Sequence, residues 1–171
     1  MWKIVAVLLL IIILLYLKSF LFLNNKSNSP EEVILPGSKK KKALIIYQLS
    51  KHNTSKNAAM VISQELNKLG YSVTMNHPSN NLTYNLEDYE LLVFGSAAYM
   101  GSPSKALLDY IKDNLFLHKK VLIYVTGLVP DDQRELEEIK EIIPKGNEIA
   151  SIKISKNEEE KLKNFIKKHC N

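Results

Sequence analysis

Cysteine is almost absent: Cys170, beside the C-terminus, is the only one, so no intrachain disulfide can form and a dithiol redox pair is excluded. Its place at the chain end reads as an incidental thiol rather than a catalytic one. Paired metal ligands are missing as well. His52, His77, His118 and His169 are scattered, with none of the spacings that zinc or iron sites use. Charge is absent from Ile4 to Leu17, and neither a small-x-small cleavage pattern nor a lipid-accepting cysteine follows, which favours a retained anchor over a cleaved signal peptide. Net charge is missing from most of the rest. From Lys39 onward 20 Lys and Arg face 16 Asp and Glu, and Lys39, Lys40, Lys41 and Lys42 make up the whole excess. No nucleic-acid partner is expected from so compact a cluster; behind an apolar segment it suits anionic headgroups.

What is present begins with that segment. Beyond Lys18, SFLFL carries it to Leu23. About twenty helical residues cross the roughly 30 Å hydrocarbon core, and Lys18 can snorkel from near one end. Residues 3–23 are therefore predicted to be a single-pass transmembrane anchor in a lipid bilayer. Only Lys3 precedes the span, whereas Lys18, Lys26 and the tetra-lysine follow it, so the domain is expected on the cytoplasmic side of the cell membrane. Residues 24–41 are predicted to be a basic linker of low order, punctuated by Pro30, Pro36 and Gly37.

Residues 42–171 alternate short apolar runs with longer amphipathic ones. Ala43 to Tyr47, Leu91 to Gly95 and Val121 to Thr126 are continuously apolar, as strands buried on both faces must be. Tyr71 to Met75 and Ile149 to Ile154 alternate, as outer strands do. Helical stripes follow: Ala59, Ile62, Leu66 and Leu69 up to Gly70; Leu107, Leu108, Ile111 and Leu115 after Ser102-Pro103; Leu136, Ile139 and Ile143 after Asp131-Asp132; and Leu162, Phe165 and Ile166 after a Ser155/Glu158 capping box. Asn76 to Glu90 is too polar for more than a turn of helix. The pattern predicts an α/β fold with a doubly wound five-stranded parallel sheet, order 2-1-3-4-5, and a ligand crevice at the carboxyl ends of the first and third strands.

Two loops should meet there. Gln48 to Thr54 leads into a helix N-terminus, where unsatisfied N–H groups and the dipole favour an anion; a capped helix with nothing bound fits the same residues. Ser96 to Ser102 surrounds Tyr99 with small residues, which let a flat ring approach the backbone; Tyr99 as a packed surface aromatic fits equally. Gly127 to Pro130 would lie along the other edge.

These loops carry a resemblance. Tyr47, followed by Asn53-Thr54 after a polar turn, resembles the flavodoxin phosphate loop, whose pattern is an aromatic, a Ser/Thr-rich turn and Gly-Asn-Thr. GSAAYMGSPSKALLDYI is similar to that family's second flavin loop, and VTGLVPDDQRELEEI resembles the subgroup that includes quinone-linked protoporphyrinogen oxidases. The resemblance implies FMN as cofactor. It implies Ser50, Asn53, Thr54 and Ser55 on the phosphate, with Lys51 and His52 supplying backbone N–H groups. It sets Tyr99 against the isoalloxazine and the backbone of Ser96, Ala97, Ala98, Met100, Gly101 and Gly127 around the ring, with few positive charges nearby. Leu49 and Lys51 replace hydroxyl residues of the pattern, and His52 replaces glycine. A non-glycine residue at positive φ is uncommon, so a reshaped loop is expected. The expected function is membrane-anchored electron transfer by FMN to a redox protein or quinone. Two alternatives accompany it: a quinone-linked oxidoreductase of the protoporphyrinogen oxidase type, and a cofactor-free interaction module.

Overall fold

The computed structural model describes residues 2–25, 31–99 and 101–171. Buried aliphatic runs become the central strands β2 (Ser38–Tyr47), β4 (Leu91–Ala97) and β5 (Lys120–Thr126), flanked by β3 (Tyr71–Asn76) and β6 (Glu148–Ile154). Each of these five pairs in parallel with its neighbours, in the predicted order 2-1-3-4-5. On one face α2 (Thr54–Lys68) and α5 (Glu159–Cys170) cover Ala43, Ile45, Val73, Val93 and Leu122. On the other, α3 (Lys105–Asp113) and α4 (Arg134–Ile142) cover Leu44, Ile46, Leu92, Phe94 and Ile123. Burying each of these Val, Leu, Ile and Phe side chains stabilises the fold by about 1.5–3 kcal/mol before entropy is counted. Because α2 and α3 lie on opposite faces, the winding reverses between β2 and β4 and leaves a crevice at their carboxyl ends.

Four expectations are corrected. The sheet has six strands, not five: Val33–Leu35 forms β1, antiparallel to β3 with Val33 opposite Met75 and Leu35 opposite Val73. This segment was expected in the linker, but its three apolar residues cover the open edge of β3. The tetra-lysine is not linker either, since Ser38–Lys42 opens β2, with a register shift against β3 between Ser38 and Lys42. Third, α3 and α4 start later than their cap signals, at Lys105 and Arg134; the backbone of Ser102 is instead paired with Tyr99. Fourth, the transmembrane helix is not found: among the described residues no helix is long and apolar enough to cross a membrane. Trp2–Asn25 is helical, here α1.

Candidate functional site

At the carboxyl end of the sheet the first loop closes on itself. Asn53 N donates to Ser50 O (3.1 Å), Ser55 N to Ser50 Oγ (3.2 Å) and Asn57 N to Asn53 O (2.8 Å). The amides of Lys51, His52, Thr54 and Lys56 take no part in these bonds and sit at the positive end of α2, where an anion is favoured. The positive φ falls on Asn53 (56°) and not on His52. Asparagine adopts that conformation readily, so the missing glycine does not strain the loop as expected.

The second loop is braced from inside. Ser96 Oγ accepts from Ser104 N (2.9 Å), while Tyr99 and Ser102 exchange backbone bonds of 2.8 and 3.1 Å around Gly101 at φ 84°. Tyr99 then reaches across: its hydroxyl donates to Leu49 O at 3.1 Å, tying the second loop to the first. Burial raises the Tyr99 phenol pKa, so the donor stays protonated. In the third loop Gly127 N donates to Ile154 O (2.9 Å). A Cβ on Gly127 would meet Lys153 Cε at 3.0 Å and Ala98 Cβ at 3.2 Å, so only glycine fits without displacing a neighbour.

Together the loops enclose a cleft of about 430 Å³, within the range of small-molecule sites. Ser50, Lys51, His52 and Thr54 form one wall, and Ala97, Ala98, Tyr99 and Gly127 the facing one. Asn53, Ser55, Ser96 and Gly101 are not in the lining: the first two shape the start of α2 and the last two the second loop. Met100 lies outside the described residues. Leu128, in the Gly127–Pro130 loop expected along one edge, lines the cleft, and so do Thr126 and Lys156, which escaped the sequence reading. Thr126 ends a buried strand, and Lys156 follows a strand not expected at the crevice. Lys51 and Lys156 also bring positive charge where little was expected.

Thr126 bears on what fits. Its Oγ1 is buried and has no hydrogen-bond partner among the described residues, a state that costs about 1–3 kcal/mol. A flat ligand with polar edge atoms, lying over Gly127, would satisfy it. A second hollow of about 450 Å³ lies by Pro78–Asn81, but the Lys105–Asp109 ion pair flanks it and it offers a flat ring little apolar surface.

The start of α2 is held from below. Tyr124, on β5, passes its ring over Gly95 and donates its hydroxyl to Ser55 O at 3.0 Å. Tyr47, at the end of β2, meets His77 edge to face with centroids 4.7 Å apart. Burial, with a smaller contribution from Glu31, pushes the Tyr47 phenol from 10.0 to about 12; burial likewise raises Tyr84 to about 12. Since the folded state favours the protonated phenols, their contribution is complete below pH 10 and is lost as pH rises toward 12. Alkaline titration should therefore show tyrosinate absorbance and loss of near-ultraviolet circular dichroism rising together between about pH 10 and 12. Ionisation of all tyrosines near pH 10 with the fold intact would contradict this.

Comparison with known proteins agrees with the fold. A family model described as a flavodoxin domain matches residues 44–154. An uncharacterized protein of Methanocaldococcus jannaschii is 30% identical over 87 residues, which make up 51% of this chain and 55% of that protein. The chain thus spans about half the length of that curated relative. Oxidised flavodoxin 2 from Bacillus cereus is similar in fold, with a TM-score of 0.59 and 21% identity over 74% of this chain and 99% of that one. A flavoprotein in complex with FMN from Lactobacillus acidophilus gives 0.50 and 16%, over 71% and 97%.

Proposed function

The chain belongs to the flavodoxin domain family, and on that premise we propose that it is an electron-transfer protein that binds FMN in this cleft and is tethered to a membrane by residues 3–23. The observation that carries the reading is the Tyr99–Leu49 hydrogen bond, which draws the flat-ring loop and the anion loop onto one cleft. The amides of Lys51, His52, Thr54 and Lys56 would hold the phosphate, and Lys51 and Lys156 add positive charge at the rim. Thr126 Oγ1 and the backbone around Gly127 would hold the ring edge, with Ala97 and Ala98 leaving room for it. Tyr99 would shield one side from water. FMN, when bound, supplies the one- and two-electron chemistry, so the chain needs no nucleophile or proton donor of its own.

The tether is supported by the uncharged run from Ile4 to Leu17 and the apolar SFLFL beyond Lys18, and the cytoplasmic side by the lysines that follow. A redox protein or a quinone would be the partner. Leu128, 97% exposed at the cleft rim, favours the quinone-linked oxidoreductase as second reading, because an apolar carrier needs an apolar approach.

The test is a flavin titration of the full chain in detergent. FMN fluorescence should quench with one equivalent, and Thr54→Glu, which sets a carboxylate among the phosphate-binding amides, should weaken FMN by about 10- to 100-fold, ~1.4–2.7 kcal/mol. Riboflavin, which lacks the phosphate, should bind wild type and variant alike. No quenching by either flavin would leave the cofactor-free interaction module standing. Rapid reoxidation of the reduced protein by a menaquinone analogue would favour the quinone-linked enzyme over a simple carrier.

A further inference from the structure

We propose that the domain rests with the carboxyl end of its sheet against the lipid surface, so that Leu128 and Val129 touch the bilayer and the cleft opens toward it. This rests on the reading of residues 3–23 as an anchor. The path of the chain carries it. Because β1 runs antiparallel to β3, the chain enters the domain at the carboxyl end, not the amino end. Glu31 is fixed there: its N–H donates to Asn76 Oδ1 at 2.8 Å, and its carboxylate lies 3.6 Å from Lys56 Nζ, in the first turn of α2. Asn25, the last residue of α1, is six residues away, and six extended residues reach roughly 20 Å. The end of the anchor is therefore held close to the phosphate loop.

The same end carries what a lipid surface would engage. Leu128 is 97% and Val129 59% exposed, side by side on the loop after β5. Lys51 and Lys156 are exposed at the cleft rim, with Glu159 and Glu160 beside Lys156 in the first turn of α5, so the rim carries both signs of charge and the lipid contact rests on Leu128 and Val129. Asp132 and Arg134 neutralise one another at 2.6 Å, leaving Asp131 as the acidic residue facing solvent on that loop. The opposite end is the rival surface. There Lys40, Lys41 and Lys42 begin β2, and Leu115 (76%) and Leu117 (41%) are exposed. To set that end on the membrane, the six-residue tether would have to run back along a strand such as the seven-residue β4, six steps or roughly 20 Å, which would leave it fully stretched with no slack.

The full chain, reconstituted into phosphatidylcholine and phosphatidylglycerol vesicles, tests this with an environment-sensitive fluorophore on Val129→Cys or on Leu115→Cys, each with Cys170→Ser. The label at 129 should shift to the blue and be quenched several-fold more by doxyl-labelled lipid than the label at 115. Hydrogen exchange on the unsubstituted chain gives the same answer without relying on folded variants: residues 128 and 129 should slow in vesicles relative to detergent. Stronger quenching at 115, or slowing confined to 114–118, overturns the orientation while leaving the anchor intact, as does a chain that floats with vesicles but shows neither effect. A chain that fails to float with vesicles overturns the anchor and the orientation together.

Discussion

Replacing Lys153 alone with methionine should destabilise the domain by about 3–5 kcal/mol, because it strands a buried carboxylate. Lys153 Nζ lies 2.6 Å from Glu135 Oε2, and their side chains are 1% and 2% exposed. Since total stabilities are about 5–15 kcal/mol, one substitution removes a large share. The double variant Lys153→Met with Glu135→Leu removes both charges and restores the midpoint of urea unfolding to near wild type, because apolar residues of similar volume carry no desolvation cost. Affinity for FMN should separate from stability. Lys153 Nζ also donates to Asp132 O at 2.6 Å, tying the loop after Gly127 to β6, and methionine cannot replace that bond. The double variant should then fold normally yet bind FMN roughly five- to tenfold more weakly, the worth of one hydrogen bond. A double variant as unstable as the single one would show that the pair is not balanced as described.

That pair marks where sequence reasoning stopped. Ile149 to Ile154 alternates, as an outer strand does, and nothing in that pattern marks Lys153 as buried. Its burial depends on Glu135, from a helix whose distance in space no local pattern encodes. The continuous runs at Ala43, Leu91 and Val121 were legible because a strand covered on both faces has no choice of composition. Val33–Leu35 was not, since three residues between prolines carry no period, and the strand exists only because β3 offers an edge. The lysines of β2 misled for a related reason: an extended chain can keep charged heads in water while its backbone pairs, and Lys41 Nζ sits 5.4 Å from the Tyr71 ring centroid. At the cleft, the position of the first loop was readable from its polar turn and the helix behind it. The positive φ was assigned to His52 by position in a pattern, whereas the turn itself put it on Asn53. Thr126 and Lys156 were invisible because their roles arise from where β5 and β6 end.

Gly95→Ala should be strongly destabilising. A Cβ at this position would stand 2.1 Å from Tyr124 Cζ and 2.2 Å from its hydroxyl oxygen, far inside van der Waals contact. The ring cannot retreat. Tyr124 is 1% exposed, its hydroxyl is held by Ser55 O, and its phenol pKa is driven far up by complete burial. Overpacking of a rigid core costs about 1–3 kcal/mol and sometimes more, and this overlap belongs at or above the upper end. The variant should lose stability by urea unfolding and also lose FMN binding, because forcing the ring aside breaks the strut beneath the first turn of α2. Tyr124→Phe separates the two effects. It keeps the ring over Gly95 but removes the bond to Ser55 O, so it should cost only about 0.5–1.5 kcal/mol in stability, with FMN weakened and riboflavin unchanged. In Gly95→Ala with Tyr124→Leu, the smaller side chain frees the space that the new methyl needs, and much of the lost stability should return. If Gly95→Ala alone unfolds like wild type, β4 and β5 do not meet through this contact.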